Sequence, residues 1–339
     1  MLRHAIQKAT DGKDLTADEM EAAMEEIMDG KATSAQIGSF LTALKMKGET
    51  VDEITGAANV MRRKAIPVHV DDNGTPLLDT AGTGGDGSGT FNISTTSAFI
   101  LAGAGVRVAK HGNRSVSSSC GSADVLQALG ADLDRTPEDV ACCINKTGFG
   151  FLFAPMHHIA MKHAAGPRKE MGIRTVFNLL GPLTNPALAS YQLLGVYDPD
   201  LTEPLAHALN GLGTRCAMVV HGLDGLDEVS VSAPTKVSHL KDGTVVTTTM
   251  DPRRIGIDLC DRSEIRGGTA EENAVHLRAV LDGEQGPRRI VSLLNAAAAL
   301  VVTGSVEDLS EGMVLAAQSV DSGAARSKLD EYLGFKETS

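Results

Sequence analysis

Apolar positions recur at helical spacing through the first 65 residues and then break into short runs. Met20, Ala23, Met24 and Ile27 mark one helical face, Ile37, Leu41 and Leu44 a second, and Ile54, Ala58 and Met61 a third. Before each face a Thr stands three residues ahead of a Glu or Gln: Thr16 with Glu19, Thr33 with Gln36, Thr50 with Glu53. That spacing predicts a capping box, in which hydroxyl and side-chain carbonyl satisfy each other's backbone N–H groups. Gly30 and Gly48 fall where helix C-terminal glycines are expected, and Pro67 bars further helix. The segment reads as a small helical unit.

After the polar turn Asp71-Asp72-Asn73-Gly74, apolar runs alternate with helical patterns. The runs are Leu77–Ala81, Val106–Ala109, Phe149–Phe153, Leu193–Val196 and Cys216–His221. Strands separated by helices predict an α/β domain on a largely parallel sheet. Val229–Val237 and Val245–Thr249 flank Asp242-Gly243, which predicts an antiparallel hairpin added to it. Asn295–Leu300 reads as a tightly packed core helix. The chain shows no internal repeat and no low-complexity tract.

Composition narrows the function. A formal net charge of −12 argues against broad binding to nucleic acid or anionic membranes. No run approaches the roughly 18 apolar residues of a membrane span, and the N-terminus lacks a signal-peptide layout, so a cytoplasmic location is expected. The cysteines Cys120, Cys142, Cys143, Cys216 and Cys260 lack paired metal-ligand spacing and are expected to be reduced buried thiols. His157, His158 and His163 lack the i, i+4 spacing of the two-histidine zinc motif and are expected to be structural.

The most informative segment runs from Asp79 to Thr95. Gly82, Gly84, Gly85, Gly87 and Gly89 follow an apolar strand and precede a helical pattern. Such a loop leaves backbone N–H groups free to wrap an anion, and the following helix aims its own N-terminus there. Gly82, Gly84 and Gly87 match the dinucleotide spacing, but the acidic residue about 20 positions onward is missing. The ATP-type loop is absent too. Residues 87–123 contain Arg107, Lys110 and Arg114 and no carboxylate, together with eleven Ser or Thr hydroxyls. A second strand–loop–helix, Val106 to about Ser122, lies inside this window. Two neighbouring donor-rich loops with local cations predict a positive pocket for a ligand with several phosphates. A purely structural glycine turn is the bland alternative.

Such a ligand usually arrives with Mg²⁺, which takes one or two protein carboxylates. Asp227 and Glu228, just beyond the Cys216–His221 strand, are candidates, and on spacing Asp224 is an equal one.

Gly82–Asp86, Asn92–Thr95, Lys110–Arg114, Gly121–Asp124 and Arg168–Pro186 together resemble the anthranilate phosphoribosyltransferase family, in order along nearly the whole chain. The resemblance implies a homodimer whose chains each carry a small N-terminal α-helical domain and a large α/β domain with a central mostly parallel sheet. The small domain spans 1–66 with helices from about 160–188, and the large one 72–339. It implies transfer of the ribose phosphate of phosphoribosyl diphosphate to anthranilate, with Mg²⁺. Gly82, Gly85, Asp86, Thr90, Asn92, Ile93, Ser94 and Thr95 match the sugar-diphosphate positions. So do Lys110, His111, Gly112, Asn113, Arg114, Ser115, Val116, Ser117, Ser118 and Ser122. Ser94, Asp227 and Glu228 match the metal positions, and Gly82, Asn113 and Arg168 the anthranilate positions. Lys110, Arg168, Asn113 and His111 are the implied catalytic set, with His111 packing on or hydrogen-bonding the ring. Ser119 departs from relatives with larger or basic residues there.

The chemistry fits these types. Loss of diphosphate leaves an oxocarbenium-like ribose, so charge on the leaving group needs stabilising, while a neutral aromatic amine needs orienting. A pyrimidine nucleoside phosphorylase shares the fold and glycine loop but uses free phosphate and has no need of Arg168. A catalytically silent binding relative would show extended basic surface.

Overall fold

The computed structural model describes residues 1–71, 74–115 and 120–336. Four helices open the chain, α1 (Leu2–Thr10), α2 (Ala17–Met28), α3 (Ser34–Lys47) and α4 (Val51–Lys64). The capping boxes of Thr16, Thr33 and Thr50 form as expected and start α2, α3 and α4. Glu53 does two jobs. It caps α4 while buried, accepting from Leu15 N and pairing with Lys47 Nζ at 2.9 Å.

The sheet then builds in the order β1 (Leu77–Asp79), α5 (Ile93–Gly103), β2 (Arg107–Gly112), α6 (Ser122–Ala128), α7 (Pro137–Thr147) and β3 (Phe149–Phe153). A helical stretch follows, with α8 (Ala154–His157), a 3₁₀ turn at Ile159–Met161, α9 (Lys162–Met171) and α10 (Phe177–Leu180). Next come β4 (Tyr191–Gly195), α11 (Thr202–Gly211), β5 (Cys216–Gly222), β6 (Thr235–Lys241) and β7 (Thr244–Met250). Four helices finish the chain: α12 (Ala270–Leu281), α13 (Pro287–Val302), α14 (Leu309–Asp321) and α15 (Ala324–Gly334).

The seven strands lie in the order β3-β2-β1-β4-β5-β6-β7. The first five are parallel, and β6 and β7 are antiparallel, so the expected mostly parallel sheet is present. The hairpin differs at its start. Val229 and Val231 are buried, yet both backbone groups of Val229 bond to the Asn295 side chain instead of to a strand. An apolar alternation created by packing against α13 mimicked a strand, and the ladder begins only at Thr235.

Two large apolar cores result. One joins α5, α6, α12, α13 and α15 to the sheet. The other joins α1–α4 with residues of α9, α10 and α11 and the facing sides of β4 and β5. The run through Asn295–Leu300 is buried throughout, as expected, and all five cysteines are free; Cys120, Cys143 and Cys216 are buried, but Cys142 and Cys260 are only partly so.

Candidate active site

Strand order reverses around β1, which has β2 on one side and β4 on the other. Loops leaving the C-terminal ends of such strands open a crevice between them, where open α/β sheets take their ligands. The glycine loop leaves β1 at that position. Gly84, Gly85, Gly87 and Gly89 all take positive φ, a backbone that side chains with a Cβ rarely adopt. Thr83 N donates to Gly195 O at 2.8 Å and anchors the loop on the end of β4.

The β5 loop closes on the same corner. A Cβ on Gly195 would lie 1.6 Å from Asp227 O, so only glycine lets this loop sit against β4. Asp227 N donates to Asp86 Oδ2 at 3.3 Å, and Ser94 N, in the first turn of α5, donates to Glu228 Oε1 at 3.2 Å. Asp227 and Glu228 are both half-buried. Asp224, equal on spacing, is held away by Ser230 Oγ at 2.9 Å. Asn295 fixes the far end of this loop through Val229.

Lys110 enters from β2 with 2% exposure and donates to Thr80 O, Thr80 Oγ1 and Ser94 Oγ at 3.0, 3.1 and 3.2 Å. Burial lowers its pKa, against the pull of Asp79, Glu228 and Asp227. Burial in turn pushes Glu228 up to about 7, opposed by Lys110 and reinforced by Asp86. Asp227 is raised well above the carboxylate range by burial and by the charges of Asp86 and Glu228.

These facts correct the expectation of a positive pocket. Asp227 and Glu228 arrive from a distant loop beside Lys110, and Asp86, just before the acid-free window, faces them in turn. Arg114 does not offset them, since its Nη1 pairs with Asp124 at 3.0 Å. Bringing phosphates here requires a cation, and hard oxygen donors on Asp227, Glu228 and Ser94 suit Mg²⁺. Among the described residues no three His, Cys, Asp or Glu side chains form a metal cage by themselves.

The other expected residues are distributed as follows. Asp86 Oδ1 accepts from Ser88 N, and Thr90 is half-buried beside Ser88. Asn92 precedes α5, but its amide is engaged by Cys120 and Asn273. Ile93 and Thr95 are buried, Thr95 with an unpaired Oγ1. Gly112 ends β2, where a Cβ would strike Ser122 Oγ. Asn113 is exposed, and its carbonyl accepts from Ala123 N and Ser122 Oγ. Ser115 N donates to Asp124 Oδ2. Val116, Ser117, Ser118 and Ser119 lie outside the described residues.

Arg168 stands on α9, half-buried, with its guanidinium 5.0 Å from the Phe177 ring centroid. No ion pair or hydrogen bond engages this side chain among the described residues, and burial lowers its pKa. His111 is 4% exposed. Its Nδ1 lies 3.0 Å from Gly181 O, which can only accept, so the ring proton sits on Nδ1 and Nε2 is an unpaired acceptor. The ring of His158 lies 5.1 Å away, also with an unpaired Nε2. Burial, with His158 nearby, brings His111 down to about 3; burial, with His157, brings His158 to about 4.

Sequence reasoning missed three supports. Asp79 is fully buried and accepts from His111 N at 3.1 Å and Asn185 Nδ2 at 2.7 Å, which fixes the backbone beside Lys110. Arg174 donates to Gly85 O and lies 4.2 Å over Tyr197, tying the glycine loop to the α9–α10 segment. His158 faces His111 across a turn that separates α8 from α9. Asp79 opens the glycine-rich segment and Arg174 lies within Arg168–Pro186, but nothing in their spacing says whether they face a ligand or the protein.

Fold and site together define a two-part glycosyl transferase: residues 3–65 match the glycosyl transferase family helical bundle domain, and residues 74–326 the glycosyl transferase family a/b domain. An anthranilate phosphoribosyltransferase of Symbiobacterium thermophilum is 58% identical over 335 residues, 98% of this chain and 97% of that protein. One from Moorella thermoacetica is 55% identical, covering 100% of this chain and 99% of the relative. The crystal structure of anthranilate phosphoribosyltransferase from Thermus thermophilus aligns with a TM-score of 0.91 at 42% identity, covering 97% of this chain and 98% of that one. The Saccharomyces cerevisiae enzyme in complex with PRPP (phosphoribosyl diphosphate) and Mg aligns with a TM-score of 0.90 at 30% identity over 98% and 96%. The chain belongs to the anthranilate phosphoribosyltransferase family.

Proposed function

We propose that this chain transfers the 5-phosphoribosyl group from phosphoribosyl diphosphate to the amine of anthranilate, releasing diphosphate. The product is N-(5-phosphoribosyl)anthranilate, and the reaction is the second step of tryptophan biosynthesis from chorismate. The observation that carries this reading is the corner where the glycine loop, Lys110 and the Asp227–Glu228 loop meet at the start of α5. A yeast relative takes PRPP and Mg together, and another structure of that enzyme is a complex with 4-fluoroanthranilate.

In the reaction the bond from ribose C1 to diphosphate breaks and a bond from C1 to the amine nitrogen forms. The nitrogen, cationic once the bond has formed, then gives up one proton to water. Gly82, Gly85, Asp86, Thr90, Asn92 and the start of α5 cradle the sugar diphosphate, with the glycine loop and the positive end of the helix dipole facing the phosphates. Lys110, already anchored by Thr80 and Ser94, stabilises charge growing on the leaving group without reorganising. Asp227, Glu228 and Ser94 would hold Mg²⁺, whose bound charge would offset that of the phosphates.

Arg168 receives the anthranilate carboxylate, the acid partner its half-buried guanidinium otherwise lacks. Asn113 orients the amine from the loop beyond β2. His111 offers the lone pair of Nε2 as a hydrogen-bond acceptor. A ring that burial holds down to about 3 is too weak a base to take the amine proton at neutral pH, so its part is positioning.

The same reading takes the chain as two domains, 1–66 with helices from about 160–188 against the remainder, and as a cytoplasmic homodimer, as the family resemblance implies. Sedimentation of the purified chain as a monomer at micromolar concentration would contradict the dimer. The central test mixes the chain with anthranilate, phosphoribosyl diphosphate and Mg²⁺ and follows anthranilate fluorescence. The signal falls only when all are present; a constant signal from folded protein overturns the function.

A further inference from the structure

A cavity of about 330 Å³ opens at the N-terminus of α13, lined by Ser263, Glu264, His276, Glu284, Arg288 and Arg289 among others. This is at the lower end of the roughly 300–1,000 Å³ range of small-molecule sites. The 16-residue helix α13 has no side-chain cap at its start. Its first N–H groups, on Arg288 and Arg289, therefore point outward with the positive end of the helix dipole.

The cations here are unusual in their burial. Arg289 is only 6% exposed. Its Nη2 pairs with Asp321 at 2.8 Å, but its Nη1 is buried and donates to nothing. Arg288 Nη2 donates to Arg266 O at 3.0 Å, while its Nε is likewise buried without a partner. Leaving guanidinium N–H groups buried and unmet is costly unless a ligand meets them. His276 adds no positive charge at pH 7, because burial and Arg288 lower its pKa.

The acids are placed differently. Glu264 and Glu284 are both exposed. Glu264 Oε1 takes the N–H of Asp261, and no hydrogen bond engages the Glu284 side chain. The site thus presents buried guanidinium donors with two carboxylates toward solvent. A multiply charged anion would meet those glutamates on entry, whereas a molecule bearing one negative and one positive group satisfies both.

We propose that this cavity binds a small zwitterion, by class a free α-amino acid. Its carboxylate lies on the Arg288–Arg289 pair and the N–H groups of α13, and its ammonium lies between Glu264 and Glu284. The site is separate from the reaction centre but mechanically close to it. Ser263 and Glu264 run directly into Ile265–Gly267, which grips the glycine loop. Phe91 N donates to Ile265 O, Gly267 N donates to Gly89 O at 2.9 Å, and Thr90 bridges to Arg266.

The test is isothermal titration of the full chain with each common α-amino acid, with acetate, methylammonium and inorganic phosphate as single-charge and anion controls. At least one amino acid binds saturably and more tightly than any control. Arg289→Gln weakens that binding by about tenfold or more, as expected for a lost charge-assisted contact. Because Arg289→Gln also breaks the Asp321 pair and can unfold the chain, Glu284→Gln is the companion variant. It changes an exposed side chain, preserves turnover, and weakens amino-acid binding severalfold. No binding by any amino acid, equal binding of acetate or phosphate, or binding indifferent to Glu284→Gln each overturns the proposal.

Discussion

Arg168 allows the acceptor assignment to be tested quantitatively. The guanidinium is half-buried over Phe177 and engages no acid or carbonyl among the described residues. Truncation therefore breaks no internal ion pair, and its main cost falls on the incoming substrate. A charge-assisted guanidinium–carboxylate contact in a half-buried site contributes about 2–3 kcal/mol, or roughly 30- to 150-fold in equilibrium. Arg168→Ala is expected to lower kcat/KM for anthranilate by that factor and to change the KM for phosphoribosyl diphosphate by less than about threefold. Arg168→Lys keeps the charge but loses the planar fork, so it falls between the two. The decisive control is aniline, which has the amine and no carboxylate. If Arg168 reads the carboxylate, wild type and Arg168→Ala use aniline about equally, and the variant's loss on anthranilate vanishes on aniline. A comparable loss on both amines would refute carboxylate pairing and assign Arg168 to packing on Phe177, a role that the melting temperature of the variant measures separately.

Other outcomes follow from the same geometry. The double change Asp227→Asn with Glu228→Gln removes the negative oxygens proposed for Mg²⁺; turnover should fall more than about 100-fold with folding intact, and retained turnover would contradict their role. Gly195→Ala forces a Cβ into Asp227 O, at 1.6 Å in the present backbone, so the β5 loop must move. It should cost about 1–3 kcal/mol of stability and most activity; a variant with native melting and rate would sink the contact. His111 and His158 are held down to about 3 and about 4, from 6.5, by burial. Both rings are neutral in the folded chain at pH 7, and their contribution to stability is present above 6.5 and lost as pH falls through about 4 and then about 3. Histidine NMR signals should stay in the neutral form from pH 8 to 5, and a midpoint above 6 for either ring would count against this.

Local rules carried much of the fold. Each Thr-to-Glu or Thr-to-Gln box closes within four residues, so nothing distant can override it, and Phe149–Phe153 was legible as a strand because it is apolar on both faces. The misread at Val229 has a long-range origin: its backbone partner is Asn295, 66 residues onward. The site divided in the same way. The glycine loop was visible because positive φ needs glycine locally. Its electrical sign was not, because Asp227 and Glu228 reach Lys110 across the sheet and Asp124 takes Arg114. Asp79 carried no role in the sequence and is an internal brace for β2 and Asn185.

The residues proposed for the sugar diphosphate and for the anthranilate carboxylate rest on different apolar interiors. The β5 acids are pinned through Val229 to α13, in the core shared with α5. Arg168 lies over Phe177, in the core that α1–α4 help to form. A small rocking of one interior against the other alters the gap between nucleophile and ribose while leaving each grip intact. Affinity and reactivity can then be tuned separately, by substitutions along β4 and β5, where Leu193 and Met218 face one interior and Leu194 and Ala217 the other.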